Sequence, residues 1–106
     1  MATIVWTIRA KTMRRELYLN GRREFGVTTA NKTARMIEEI TDHLSRWPAS
    51  GFPEPLLKEA HHLYRSRHIN NRFKLIYRYD EIEDMVYIED IWDTHRAPQN
   101  LQRKLK

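Results

Sequence analysis

The chain has 106 residues, 41% of them hydrophobic, and only three glycines and four prolines, a length and composition that fit one folded domain with a modest core. It has no cysteine, which excludes a disulfide framework, a thiolate nucleophile and a cysteine-bound metal, and no apolar run approaches the roughly 18 residues of a membrane span. Nineteen lysines and arginines against 14 acids give a formal net charge of +5, which points to an acidic partner; Met1 to Trp6 is too quickly followed by charge for a signal peptide, so the expected location is the cytoplasm.

Thr3-Ile4-Val5-Trp6 is β-branched and aromatic and reads as a first strand. Thr7 offers a capping oxygen to a helix reaching about residue 23, with Ala10, Met13 and Leu17 on its apolar side. Gly26 breaks the chain. Thr28 or Thr29 is then expected to cap a second helix whose stripe is Ala30, Ala34, Ile37, Ile40, Leu44 and Trp47, stopped by Pro48 and Gly51. The two helices are expected to pair as an antiparallel hairpin, and Phe52-Pro53-Glu54-Pro55 to be an extended connector, because a proline biases its predecessor away from helical angles.

After a short segment from Leu56 to Ala60, three strands are expected at about 62–69, 72–79 and 85–92, joined at Asn70-Asn71 and at Glu81 to Asp84. In the middle one Phe73, Leu75, Tyr77 and Tyr79 alternate with Arg72, Lys74, Ile76 and Arg78, so one face should pack and the other present cations. Pro98 opens a helical tail with Leu101 and Leu105 inward. The expected fold is α+β in the order β-α-α-β-β-β, an antiparallel sheet against a two-helix hairpin with a short C-terminal helical tail, one domain over residues 1–106.

Charge falls in blocks. Residues 9–23 carry Arg9, Lys11, Arg14, Arg15, Arg22 and Arg23 against the single acid Glu16, and residues 62–79 carry Arg65, Arg67, Arg72, Lys74 and Arg78 with none. The tail adds Arg96, Arg103, Lys104 and Lys106, whereas residues 80–93 hold seven acids and no base. Such blocks polarise a surface and suit a nucleic acid or an acidic protein. His61, His62 and His68 lack a standard metal-ligand spacing, and the acids of 80–93 read as a solvated turn and salt-bridge partners.

Val5-Trp6 with Ala10, Phe25-Gly26, Leu44-Ser45-Arg46-Trp47-Pro48 with Gly51, Asn71-Arg72-Phe73-Lys74-Leu75-Ile76-Tyr77-Arg78, and Ile91-Trp92-Asp93 with Pro98 and Leu101 together resemble the RelE/ParE superfamily of toxins from bacterial type II toxin–antitoxin modules, associated with plasmid stabilisation. The order and spacing of these segments carry the resemblance over nearly the whole chain. It departs at Thr94-His95-Arg96-Ala97, where ParE-like branches have a polar residue, an arginine and an acid before the proline.

The RelE side of the resemblance implies a metal-independent, ribosome-dependent mRNA endonuclease. Attack of a ribose 2′-hydroxyl on the adjacent phosphate needs a base, an acid and cations around the gathering charge. On that reading Arg65, Arg67 and Lys74 match the basic residues of RelE-type sites and His95 or Arg96 completes the group, while Leu101 stands where some such enzymes have a tyrosine. The ParE side implies a non-enzymatic inhibitor that binds DNA gyrase. A third reading keeps only a small basic nucleic-acid-binding module with Tyr77, Tyr79 and Tyr87 as stacking platforms, although alternating strand aromatics more often fill a core. No cofactor or metal is implied. The expected partners are an acidic, amphipathic antitoxin and either ribosome-bound mRNA or gyrase.

Overall fold

The computed structural model describes residues 1–105, without the side chains of Arg103 and Lys104, so of the basic tail Arg103, Lys104 and Lys106 lie outside what it describes. Its elements are β1 (Thr3–Trp6), α1 (Ile8–Phe25), α2 (Val27–Arg46), β2 (Phe52–Pro53), a 3-10 turn (Pro55–Leu57), β3 (Tyr64–His68), β4 (Phe73–Asp80), β5 (Met85–Asp93) and α3 (Pro98–Leu105).

Thr7 caps α1 as expected, its hydroxyl oxygen accepting from the Ala10 N–H at 3.2 Å. Gly26 alone separates the helices, with φ +94°, a region that side chains avoid. That residue is also the N-cap of α2, so Thr28 and Thr29 lie inside the helix and neither caps it. The helices run antiparallel: Gly21 lies against Ala30, the Tyr18 hydroxyl donates to Asn31 Oδ1 at 2.7 Å, and Arg14 reaches Glu38 at 4.0 Å. The stripe of α2 buries Ala30, Ile37, Ile40 and Leu44, but not Trp47. Because Trp47 precedes a proline it leaves helical geometry, the helix ends at Arg46, and the indole stands 62% exposed.

The sheet has the order β1-β5-β4-β3-β2. It is mixed, not wholly antiparallel: β1 pairs parallel to β5, while the other three pairings are antiparallel. Hairpin turns force antiparallel pairing only on consecutive strands, and β1 reaches β5 after two helices and three strands. Phe52 and Pro53, expected as a connector, add a fifth strand at the edge, where a proline without an N–H is tolerated.

Two apolar clusters sandwich the sheet. On the helix side Ala10, Ile37, Ile40 and Leu44 meet Leu75, Tyr77, Val86, Ile88 and Ile91. On the outer side Ile76, Tyr64 and Trp92 are roofed by Leu57 of the 3-10 turn and by Leu101 and Leu105 of α3. The outer face is therefore half covered, and does not simply present cations. A bulge links the two clusters: Tyr77 pairs with Ile88 but Ile76 with Asp90, which leaves Glu89 as an extra residue in β5. Ile88 and Ile91, three apart, thus both reach the helix side, and Trp92 turns outward.

Candidate functional site

Arg65 and Arg67 pair across β4 with Tyr77 and Leu75, both in the helix-side core, so the two guanidinium groups share that side. There they meet the turn that follows α2. Arg65 Nη1 donates to the Gly51 carbonyl at 2.9 Å, and Arg67 Nη1 lies 3.0 Å from His43 Nδ1 and donates to Ser50 Oγ at 3.3 Å. A guanidinium has no acceptor, so His43 Nδ1 is the accepting nitrogen. The turn is drawn inward because the Tyr77 hydroxyl accepts the Gly51 N–H at 2.8 Å. A Cβ at Gly51 would lie 2.6 Å from that hydroxyl oxygen and 2.9 Å from the Ser66 carbonyl, so the close approach requires glycine. Burial raises the Tyr77 phenol above its ordinary pKa, opposed by the Gly51 hydrogen bond and the charges of Arg65 and Arg67.

Lys74 lies on the other side. It pairs with His68 and with Trp92, whose ring belongs to the outer cluster. Its ammonium meets Glu54 Oε1, and Glu54 Oε2 accepts from the Leu56 N–H at 3.1 Å. The Glu54 side chain is wholly buried and that of Lys74 only 12% exposed. The pair fastens the 3-10 turn to the sheet and keeps Lys74 away from Arg65 and Arg67.

His95 and Arg96 lie past the end of β5, where the His95 N–H donates to Asp93 Oδ1 at 2.9 Å and the Arg96 N–H to the Asp93 carbonyl at 3.0 Å. Arg96 stands 6.0 Å from the centre of the Trp92 ring. Arg72 donates twice to Asp93 Oδ2, at 3.2 and 3.0 Å, and these hydrogen bonds hold the Asp93 carboxyl below the usual carboxylate range. The five residues expected to form one site therefore divide: Arg65 and Arg67 on the helix side, Lys74 on the outer side, and His95 with Arg96 at the end of the sheet. His43 and Ser50, which complete the arginine cluster, were not foreseen, and Gly51 was singled out only as a helix stop and in the family resemblance.

Of the three tyrosines considered for stacking, Tyr77 is fully buried, Tyr79 donates to Asp84 Oδ1 at 2.6 Å, and Tyr87 lies under the Arg78 guanidinium at 4.1 Å. A stacking role for Tyr77 is excluded by its place in the core. Two grooves flank the helices. One, of about 360 Å³, has Leu17, Ala30, Ala34 and Ile37 as its floor and Lys11, Arg14 and Arg15 on its rim. The other, of about 590 Å³, lies between the hairpin tip and the end of the sheet at Phe73, Ile91 and Arg96. Among the described residues no helix is long and apolar enough to cross a membrane.

No family model matches the chain, and no curated protein matches it in sequence. Solved structures do match. The chromosomal ParDE toxin–antitoxin system from P. aeruginosa superposes with a TM-score of 0.67 at 19% identity, over 88% of this chain and 96% of that one. A metal-bound toxin from Helicobacter pylori gives 0.66 at 16%, over 89% and 96%. A YoeB dimer from Staphylococcus aureus gives 0.59 at 23%, over 90% and 98%. The chain has the RelE/ParE toxin fold, two helices and a short C-terminal helix on a five-stranded mixed sheet, as the sequence resemblance implied.

Proposed function

We propose that this chain is the toxin of a type II toxin–antitoxin module in the cytoplasm, restrained by an acidic, amphipathic antitoxin and acting on its target by binding rather than by cutting. The fold supports the toxin reading, together with solved neighbours described as the ParDE system and as a YoeB-YefM complex. The observation that carries the choice of binding over cleavage is the Lys74–Glu54 pair. It ties up the one lysine of the RelE-like set on the face opposite Arg65 and Arg67, and His95 with Arg96 lies past the end of β5, so the five residues expected to supply base, acid and phosphate clamp do not converge. DNA gyrase, the target implied by the ParE side of the resemblance, is then the preferred target. Cleavage of ribosome-bound mRNA is the second reading, favoured by the side-by-side arrangement of Arg65 and Arg67.

The antitoxin would lay apolar side chains in the groove floored by Ala30, Ala34 and Ile37 and carboxylates against Lys11, Arg14 and Arg15. The test is induction of the chain in bacterial cells with and without the product encoded beside it. Growth arrest relieved by that product, with trapped gyrase–DNA complexes and an intact transcriptome, is the expected result. Codon-phased mRNA cuts that vanish in Arg65→Ala would replace the binding mechanism by the nuclease, and unaffected growth would remove the toxin reading.

A further inference from the structure

From the outward side of α1 we infer a peripheral membrane-binding surface, in which Ile8, Leu19 and Phe25 enter the headgroup–acyl boundary of an anionic bilayer while Lys11, Arg15 and Arg22 meet its phosphates. It goes beyond the toxin reading and does not rest on it.

α1 is apolar on two sides. Inward, Ala10, Met13 and Leu17 pack into the helix-side core. Outward, Ile8, Lys11, Arg15, Leu19, Arg22 and Phe25 recur at spacings of three and four and so fall in one row along the helix. At 1.5 Å per residue the row is about 26 Å long. Ile8 is 85% exposed, Leu19 46% and Phe25 66%, and Val27, just across Gly26, extends the apolar end at 51%. The three cations of the row are exposed as well, and among the described residues none of them is held in an ion pair. No acid interrupts the row: Glu16 and Glu24 lie to one side, along the second groove, and Arg14, which reaches Trp6 and Glu38, lies to the other.

The interleaving of apolar and cationic residues favours a bilayer over a protein partner. A polypeptide laid on this row would need a carboxylate in register with each cation, and would take those charges out of water at a cost that fixed ion pairs barely recover. At a bilayer surface the same alternation is favourable, because lysine and arginine stems lie along the apolar boundary while their heads reach mobile phosphates. The shape agrees: the row is the outer face of a single helix, and the grooves with apolar floors that suit a polypeptide segment flank it. A nucleic acid would use the cations but leave Ile8, Leu19 and Phe25 uncovered. The net charge of +5 adds long-range attraction to an anionic leaflet. Because Lys11 and Arg15 also rim the first groove, a segment seated there would compete with the bilayer.

The experiment sediments the purified full chain with vesicles of equimolar phosphatidylglycerol and phosphatidylcholine, and with vesicles of phosphatidylcholine alone. Binding to the anionic vesicles only, weakening as salt is added, is expected. Arg22→Gln should weaken it about fivefold, and Leu19→Ser and Phe25→Ser about tenfold each. Ile82→Ser, at a 94% exposed apolar position on the acidic turn between β4 and β5, should leave it unchanged. Lipid brominated in the acyl chain should quench the added indole of Phe25→Trp, relative to the parent chain, and not that of Ile82→Trp. Failure to sediment with the anionic vesicles would overturn the inference. So would Leu19→Ser and Phe25→Ser binding as tightly as the parent, which is adsorption by charge alone, or poly-glutamate binding with the same dependence on Leu19 and Phe25, which is a protein-docking face.

Discussion

On the helix side of the sheet, Ile37, Ile40 and Leu44 press a continuous apolar stripe onto Leu75, Val86, Ile88 and Ile91. On the outer side six residues form a smaller cluster whose roof is a three-residue turn and an eight-residue helix, with a lysine–glutamate pair beside it. One face is held by area; the other depends on the completeness of an ion pair and on the docking of α3. The helix side can therefore lose a methyl group and relax, whereas the outer side has little apolar surface to spare if its charge pair is broken.

The largest effect should come from the outer face. Lys74→Ala leaves the Glu54 carboxylate buried without its counter-charge and should cost about 3–5 kcal/mol in urea unfolding, whereas Lys74→Met combined with Glu54→Leu should be close to neutral. A loss from Lys74→Ala no greater than that of an exposed pair would remove the contrast between the faces. On the helix side Leu44→Ala, at a fully buried position, should cost about 2–5 kcal/mol and be insensitive to salt. Gly51→Ala should come next, at about 1–3 kcal/mol, because the turn must back away from Tyr77; the same change should loosen Arg65 and Arg67. Arg65 reactivity toward an arginine-directed dicarbonyl reagent, compared with the parent chain, would report that loosening.

The smallest effect belongs to the Arg72–Asp93 pair, which is half exposed on the arginine side. The Asp93 carboxyl is held below its ordinary value, so its contribution is present above the pKa of an unfolded aspartate and is lost as pH falls through the depressed folded value. The melting temperature should decline over that acidic window, and Asp93→Asn should flatten the decline.

Much of this architecture was legible because it is written in local patterns. The stripe from Ala30 to Leu44, the Thr7 cap and the Gly26 break each follow from spacing or backbone freedom within a few residues. What was not legible needed partners far apart in the chain. Nothing near Lys74 announces Glu54, twenty positions earlier, and alternation alone assigned the outer face to solvent because the roof over Ile76 comes from Leu57, Leu101 and Leu105. Trp47 was misplaced for a different reason: it fits the helical stripe, but Pro48 ends the helix one residue too soon. The spacing of two puts Arg65 and Arg67 on one face of β3, but their union with His43 and Ser50 depends on a turn whose path no periodicity describes.

The parallel pairing of β1 with β5 has a consequence for synthesis. Residues 3–6 leave the ribosome well before residues 85–93, the strand they must join, so their backbone hydrogen bonds wait until that strand has been made. Until then α1 and α2 can form a hairpin, but Ile37, Ile40 and Leu44 have no sheet to cover. A nascent chain halted near residue 60 should therefore be degraded quickly, and resistance to protease should rise abruptly once β5 has emerged.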